Sequence, residues 1–217
     1  MNVLSWNVLH RSHEKHYNPN SCILRAYSDD RARLDCIINV LSLHVSKETI
    51  VCLQECSGEL LTLINSTFNA SHDLLSQRIM SDEYLITLTP KFLKCHQDTR
   101  SIPKGANGYL SVSNSLMRII NCHLRPQFTV KDGNILSVIG QEDMNIMTIV
   151  AGDFNENSNK VKKALIHKYR IPYFGPSYKK KKGLDHIIFN RMLRYKAGII
   201  QTELLSDHDP VVLEFLP

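Results

Sequence analysis

Six places in this sequence combine an apolar run with side chains that can bind a metal ion or transfer a proton. Five runs end or begin with such a residue, and a sixth polar pair precedes the last run. These residues are Asn7, Glu55, His123, Asp153 with Asn155, Asp185, and Asp207 with His208. Carboxylate and amide oxygens suit hard cations such as Mg²⁺, and histidine exchanges protons near neutral pH. The residue types therefore indicate a site that could bind a hard cation and transfer protons.

The stretch from Ile149 to Asn155 is the centre of this pattern. Its apolar run ends at Gly152, and Asp153 and Asn155 then lie on the same side of an extended backbone. Taken alone, these residues also fit an ordinary turn in which Asx side chains bond their own backbone. Because strand ends at one rim of a sheet converge in space, six polar strand ends favour a shared site over six separate turns or caps.

Short apolar runs bounded by turn residues predict the strands that would position these side chains. The run before Glu55 is β-branched at its start and lies between helical patterns, which is typical of a buried strand. A polar break at 113–115 predicts a hairpin. The predicted strands are 3–8, 49–55, 72–75, 83–88, 92–96, 109–112, 116–124, 146–152, 184–189, 195–205 and 211–215.

Apolar residues at helical spacing predict an amphipathic helix after a capping Ser28, with Arg31 and Arg33 facing outward. Its buried face consists of Leu34, Ile37, Ile38 and Leu41. Further helices are predicted from Ser57 to Phe68, around 135–139, and at 157–168. The segment 10–30 reads as a polar loop. Its three histidines at every third position could seat a metal, but a loop facing solvent or substrate is the stronger reading.

Size and composition predict one domain spanning residues 1–217, since single cores grow to about 250 to 300 residues. No run approaches the roughly 20 apolar residues of a membrane-spanning helix, and the amino terminus does not resemble a signal peptide. Six cysteines without a Cys-x-x-Cys pair argue against zinc. We expect a monomeric intracellular protein, cytoplasmic or nuclear and not secreted, with reduced cysteines.

Positive charge is concentrated in one part of the chain. Of 26 Lys and Arg residues, 12 lie between Lys160 and Lys196, against one of the 21 acidic residues. This asymmetry is consistent with a solvated helix surface, and also with one positive face that binds a polyanion. Lys179, Lys180, Lys181 and Lys182 lie just before Asp185, so they are predicted to border the catalytic rim and contact substrate.

The ordered motifs resemble those of the endonuclease/exonuclease/phosphatase superfamily, the deoxyribonuclease I-like proteins. The resemblance covers the chain from Asn7 to Val211. Its motifs are Ser5-Trp6-Asn7, Leu53-Gln54-Glu55, Asn121-Cys122-His123-Leu124, Gly152-Asp153-Phe154-Asn155, Leu184-Asp185-His186-Ile187 and Ser206-Asp207-His208-Asp209-Pro210-Val211. The resemblance implies a four-layered α/β sandwich, with two mixed β-sheets packed face to face and flanked by helices.

The resemblance also implies roles for these residues. Glu55, Asn7 and Asp207 would bind Mg²⁺, with Mn²⁺ as a possible substitute. Asp153 and Asn155 would orient or deprotonate the attacking water. Asp185 would hold His208 cationic and aimed at the phosphate, while His123 would contact phosphate or act as general acid. The family's phosphate-contacting Tyr or Arg has no clear counterpart, and Arg100 and Tyr109 are the candidates.

The expected function is Mg²⁺-dependent hydrolysis of phosphodiester bonds in nucleic acid, DNA or RNA. A phosphoinositide or sphingolipid phosphoesterase at an anionic membrane surface is an alternative, because the lysine run could dock there. A catalytically inactive nucleic-acid-binding protein on the same fold is a third possibility, and it would bind without turnover. Every key motif position is present in this sequence, which favours an enzyme.

Overall fold

Two β-sheets form the centre of the protein. A computed structural model describes residues 1–98, 108–124, 145–165, 168–179 and 181–217. The first sheet has six strands in the order β10-β11-β1-β2-β4-β3, and its β1–β2 pair is parallel while the other pairs are antiparallel. The strands are β1 (Asn2–Asn7), β2 (Thr49–Ser57), β3 (His72–Arg78), β4 (Glu83–Pro90), β10 (Tyr195–Ile199) and β11 (Val211–Phe215).

The second sheet has five strands in the order β5-β6-β7-β8-β9, in which only the β7–β8 pair is parallel among the described strands. Its strands are β5 (His96–Gln97), β6 (Gly108–Ser113), β7 (Met117–His123), β8 (Met147–Asp153) and β9 (Asp185–Phe189). The predicted hairpin at 113–115 is confirmed, because β6 and β7 pair antiparallel across it.

Five α-helices and one 3₁₀ turn, Lys91–Leu93, lie in the described ranges. The α-helices are α1 (Arg11–Tyr17), α2 (Cys22–Ala26), α3 (Asp30–His44), α4 (Gly58–Phe68) and α5 (Ser158–Leu165). The predicted loop at 10–30 is wrong. It contains α1 and α2, because the His10 and Ser21 side chains accept hydrogen bonds from backbone N–H groups in the first helical turns. Asp29, not Ser28, caps α3.

The buried apolar residues form three clusters, and successive side chains of one strand belong to different clusters. In β2, Ile50 and Cys52 face the second sheet, whereas Val51 and Leu53 face α3 and α4. In β8, Val150 faces α5 on the outer side of the second sheet. The order of layers is helix, sheet, sheet, helix, so the predicted α/β sandwich is confirmed.

Some predicted element boundaries differ from the structure. The strand predicted at 195–205 ends at Ile199, and the helix predicted at 157–168 ends at Leu165. The short helix predicted around 135–139 lies outside the described residues. Within the described ranges, no helix combines the length and apolar character needed to cross a membrane.

Arg33 is buried, contrary to the prediction that it faces outward. Its guanidinium donates to the carbonyls of Val8, Leu9 and Leu205 and pairs with Asp30. The carbonyls of Val8 and Leu9 directly follow β1, and that of Leu205 lies in the segment before β11. Both segments adjoin the edge of the sheet where the polar strand ends lie. Arg33 therefore holds two segments at that rim together, a role that helical periodicity cannot reveal.

Gly152 allows β8 to lie against β7 immediately before Asp153. A Cβ at this position would stand 1.8 Å from the carbonyl oxygen of Cys122, and φ is +152°. We expect Gly152→Ala to lower the free energy of unfolding by about 3 kcal/mol or more, measured by urea denaturation. The matched control is Gly198→Ala, whose Cβ would meet Val212 at an ordinary 3.6 Å. Equal stability of the two variants would contradict this packing argument.

Candidate active site

The polar strand ends meet at one rim because of the strand directions. β1 and β2 end there in parallel, and β4, antiparallel to β2, begins there with Glu83. In the second sheet, Asp153 lies in register with His123 of parallel β7 and Asp185 of antiparallel β9. Gln54 and Asn121 join the two sheets through a 2.8 Å hydrogen bond behind the rim.

A cleft of about 640 Å³ opens at this rim. Eight of the predicted site residues line it: Glu55, His123, Asp153, Asn155, Lys179, Lys182, Asp207 and His208. Asn7 and Asp185 are buried and bond directly to these residues. The residues at the polar strand ends are thus brought together across almost the whole length of the chain.

Asn7 links the two sheets inside the site. Its amide nitrogen donates to Glu55 Oε1 at 2.8 Å and to Asp153 Oδ2 at 3.1 Å. Its amide oxygen accepts from the backbone N–H of Leu9 at 3.0 Å. In this arrangement Asn7 organises the two carboxylates, and its predicted role as a metal ligand stays a prediction.

Glu55 owes its orientation to an irregularity in β2. The β2–β4 register shifts between Leu53 and Cys56, and Glu55 adopts a left-handed backbone with φ +55°. Such bulges turn a side chain away from the regular alternation of a strand. The carboxylate is thereby directed into the cleft, where its Oε2 also accepts from the His10 backbone N–H at 3.1 Å.

The Asp153–Asn155 segment is both a turn and part of the site. Asp153 Oδ1 accepts from the Asn155 backbone N–H at 2.8 Å, which is the local Asx bond that the sequence suggested. Asp153 Oδ2 faces the cleft, and the Asn155 amide donates to the carbonyl of Leu124. Burial raises the pKa of Asp153, and the nearby charge of Asp185 adds to this effect.

His208 is held by Asp185. Their Nδ1 and Oδ2 atoms are 2.8 Å apart, and the same Asp185 oxygen accepts from the Ser177 hydroxyl at 2.6 Å. His208 Nε2 then faces Asp153 Oδ2 at 3.7 Å. Burial by itself would lower the pKa of His208, but Asp185 and Asp153 outweigh it and raise this pKa to about 10. His208 is therefore a cation at neutral pH.

Replacing Asp185 by asparagine should make His208 lose its proton at lower pH. The folded pKa of about 10 lies above the ordinary 6.5, so protonated His208 stabilises the fold fully below about pH 6.5 and loses this contribution as pH rises through 10. We expect the alkaline limb of both stability and cleavage rate to move to lower pH in Asp185→Asn. Unshifted pH profiles would contradict the pairing, and Asp35→Asn on the exposed face of α3 is the control.

His13 and Glu83 belong to the cluster although neither was predicted as a site residue. His13 lies 2.8 Å from Glu55 Oε2 and 3.3 Å from Glu83 Oε2. Hydrogen bonds to these carboxylates raise the pKa of His13 to about 10. Although burial opposes it, His123 and His13 lower the pKa of Glu83 to about 2. His123 lies between Glu55 and Glu83 at 3.6 and 3.7 Å, so two histidines balance two carboxylates.

The sequence contained a signal for both residues. His13 was considered only as one of three regularly spaced histidines, and α1 directs it toward the cleft. Glu83 begins a predicted strand, just as Asp185 is near the start of another. The sequence did not show that this strand pairs antiparallel with β2, which is what places Glu83 at the rim. The structure brings both into contact with Glu55.

Asp207 and Glu55 present carboxylate oxygens that suit a cation. Asp207 Oδ1 is buried without a hydrogen-bond partner among the described residues. Burial raises the pKa of Asp207, and the negative charge of Glu55 contributes to the increase. A buried acceptor beside a second carboxylate is a donor set that hard cations prefer, so the residues fit a divalent metal.

A second group of possible ligand atoms lies beside them. Asp153, Asp185 and His208 offer atoms within 4.8 Å of one another. The Asp185–His208 hydrogen bond already joins two members of this group, and the third accepts from Asn7 and Asn155. The three residues therefore form one group, in which a hydrogen bond joins Asp185 to His208 and an ion pair joins His208 to Asp153.

The predicted substrate-binding residues lie in different places. Lys179 and Lys182 line the cleft, and Lys181 is exposed on the turn beside it. Lys179 holds that turn, because its backbone N–H donates to the carbonyl of Asp207 at 2.7 Å. Tyr109 is buried on the outer side of the second sheet and is not brought to the cleft. Arg100 and Lys180 lie outside the described residues.

Tyr178 is a further cleft residue that the sequence did not indicate. Its ring centroid lies 4.8 Å from that of His208, and its backbone forms a β-bridge with the same residue. The Lys179 ammonium group lies 4.9 Å from the Tyr178 ring centroid and 3.8 Å from Asp207 Oδ2. The basic turn is thus packed directly against His208.

Solved structures share this fold over the whole chain. An endonuclease/exonuclease/phosphatase family protein from Leptotrichia buccalis has a TM-score of 0.69 at 16% identity, covering 100% of this chain and 99% of that one. TDP2 from Caenorhabditis elegans has a TM-score of 0.67 at 15% identity, with 100% and 74% covered. An AP endonuclease from Archaeoglobus fulgidus has a TM-score of 0.65 at 14% identity, with 99% of each chain covered.

No curated protein sequence matches the chain. The family model for the Endonuclease/Exonuclease/phosphatase family matches residues 4–208, a span that contains every residue of the cleft described above. Members of this family are generally hydrolases, typically dependent on a divalent metal. The chain belongs to the Endonuclease/Exonuclease/phosphatase family.

Proposed function

We propose that this protein is a Mg²⁺-dependent phosphodiesterase that hydrolyses nucleic acid. The observation that carries the proposal is the convergence of Glu55, Asp153 and His208 on one cleft, beside a basic turn. Carboxylates for a cation, a buried base and a fixed cationic histidine are the groups that phosphodiester hydrolysis requires.

Glu55 and Asp207 would hold the metal, with Asn7 behind Glu55. When bound, Mg²⁺ neutralises charge on the phosphate oxygens as the transition state forms. This assignment is supported by Asp207 Oδ1, which has no hydrogen-bond partner among the described residues, and by the direction of the Glu55 side chain. Mn²⁺ takes the same oxygen donors and would serve as a substitute.

Asp153 would accept the proton of the attacking water. The pKa of Asp153 is raised toward neutral pH, and a general base is most effective when its pKa lies near the pH at which the enzyme works. Asn7 and Asn155 hold its oxygens, which restricts the direction from which water is activated. His208, fixed by Asp185 and protonated, would donate Nε2–H to a phosphate oxygen. His123 Nε2 lies 3.8 Å from the same Asp153 oxygen, Oδ2, and His123 would contact the phosphate or protonate the leaving oxygen.

Nucleic acid is the substrate best supported by the charge around the cleft. Lys179 and Lys182 line the cleft. Lysines in such a position can bind the phosphates of nucleic acid without recognising its base sequence. The AP endonuclease among the similar structures is, by its name, a nuclease.

The cysteines of the described residues are free, and Cys52, Cys56 and Cys122 are buried, which supports a reducing intracellular location. We propose that the protein acts as a monomer.

A panel of labelled substrates tests this proposal. Single- and double-stranded DNA, RNA, an abasic duplex and a 5′-adduct oligonucleotide would be incubated with the protein in Mg²⁺ and in EDTA. We expect metal-dependent cleavage of at least one nucleic acid. Phosphate release from phosphoinositides, with every oligonucleotide intact, would instead identify a lipid phosphoesterase. Salt-sensitive binding without turnover would identify an inactive nucleic-acid-binding protein.

A further inference from the structure

A second groove continues from the catalytic cleft. It has a volume of about 580 Å³ and shares Asn155, Lys182 and Leu184 with the cleft lining. Because Asn155 follows the catalytic Asp153 by two residues, the groove begins directly beside the site of hydrolysis. A chain-like substrate bound in the cleft would therefore extend into it.

The groove is lined by positively charged side chains. Lys181 and Lys182 both line it and are exposed, and neither has a carboxylate within ion-pair distance among the residues that the structure describes. Lys160 also lines it but is neutralised by Glu156, at 2.9 Å. Lys181 and Lys182, which pair with no described carboxylate, are available to a polyanion, and their neighbouring positions suit successive phosphates better than one compact anion.

Tyr173 gives the groove an aromatic surface. Its side chain lines the same cavity and is 71% exposed, so the ring is open to a ligand. The segment around it is well anchored, because Pro172 and Ser177 are buried and Ser177 bonds Asp185. An exposed aromatic ring beside unpaired lysines is the combination that binds single strands, since phosphates meet lysine and an unpaired base stacks on the ring.

We propose that this groove binds the nucleotides adjoining the scissile phosphate in single-stranded nucleic acid. Lys181 and Lys182 contact the phosphates, and Tyr173 stacks on an unpaired base. In a duplex the base faces are already stacked within the helix, so Tyr173 favours single strands or frayed ends. The inference rests on the proposed nuclease function and specifies its substrate.

Fluorescence anisotropy in EDTA would test the stacking without turnover. The ligands are a labelled single-stranded oligonucleotide, the same backbone with abasic sugars, and the matching duplex. We expect Tyr173→Ala to bind the intact strand about tenfold more weakly, while Tyr173→Phe binds like the wild type. Removing the bases from the oligonucleotide should weaken its binding to the wild-type protein by a similar factor and should not change its binding to Tyr173→Ala. The reason is that base removal and the substitution both abolish the same stacking contact. An equal effect of base removal on both proteins would overturn the proposal.

Salt dependence would test the lysines separately. Lys181→Ala should reduce the slope of log affinity against log salt by about 0.7, the value for one phosphate contact in a single strand. Matched controls are Lys47→Ala and Phe92→Ala. Lys47 is exposed before β2, at the rim opposite the cleft, and Phe92 is 64% exposed in the 3₁₀ turn after β4. Both controls should bind like the wild type, and an unchanged slope in Lys181→Ala would overturn the phosphate contact.

Two further measurements separate the possible failures. Absence of hydrolysis of bis(4-nitrophenyl) phosphate by the wild-type protein in Mg²⁺, together with intact oligonucleotides, would refute the nuclease function itself. Hydrolysis with Tyr173-independent binding would refute only the groove. Binding to phosphatidylserine vesicles that requires Tyr173 and Lys181, without binding to oligonucleotides, would assign the groove to a membrane surface and overturn the proposal.

Discussion

Glu55→Gln is expected to lower cleavage of the preferred oligonucleotide in Mg²⁺ about a thousandfold or more. The substitution removes the negative charge while preserving the size of the side chain and an acceptor for Asn7. His13, His123 and Asn7 hold the pKa of Glu55 well below its ordinary value against the effect of burial, so the carboxylate is ionised and available to a cation. The measurement is kcat/KM over a range of Mg²⁺ concentrations.

Glu59→Gln is the matched control for this substitution. Glu59 lies in the first turn of α4, four residues beyond Glu55, and pairs on the surface with Arg31. It should retain wild-type activity, and both variants should unfold cooperatively, with a lower midpoint for Glu55→Gln because His13 and His123 lose a charged partner. A folded Glu55→Gln protein with full Mg²⁺-dependent activity would exclude Glu55 as a metal ligand.

His208→Ala is expected to reduce kcat/KM by about 10² to 10⁴ while the protein stays folded. His208 is positioned by Asp185, Tyr178 and its own backbone, whose carbonyl accepts from the Trp6 indole at 2.9 Å. Its cationic ring is therefore already oriented before substrate arrives, and alanine removes both the charge and the donor. Initial rates at neutral pH, compared with near-UV circular dichroism for folding, measure this effect.

His44→Ala provides the control because His44 is exposed at the end of α3, in the opposite part of the molecule from the cleft residues. Its rate should equal that of the wild type. If His208→Ala cleaved within about twofold of the wild-type rate, the assigned phosphate contact would be wrong and His123 would be the only remaining described histidine beside Asp153.

The sequence predicted the site residues that lie at regular strand ends. Asp153 and His123 follow from the lengths of two apolar runs, and parallel pairing of those runs places them in register. Asp185 begins the antiparallel neighbour and meets the same point. Periodicity and turn residues suffice in such cases because the position of each side chain is determined within its own strand.

Residues whose positions depend on long-range or irregular geometry were not predictable in the same way. His13 reaches Glu55 from α1, where a loop was predicted, and Arg33 holds the chain just before α1 to the distant segment before β11. The direction of Glu55 depends on the bulge in β2. Ser177 touches Asp185 from an irregular segment with no periodic signal. In each case the determining contact is between distant parts of the chain.

The most direct test of the account is a single time course with the wild-type protein and one labelled single-stranded oligonucleotide. The reaction would begin in Mg²⁺, receive excess EDTA, and then receive excess Mg²⁺. The account predicts cleavage that stops with EDTA and resumes when Mg²⁺ is restored. Cleavage that continues unchanged in EDTA, or an intact oligonucleotide throughout together with an uncleaved substrate panel, would contradict a metal-dependent nuclease at this cleft.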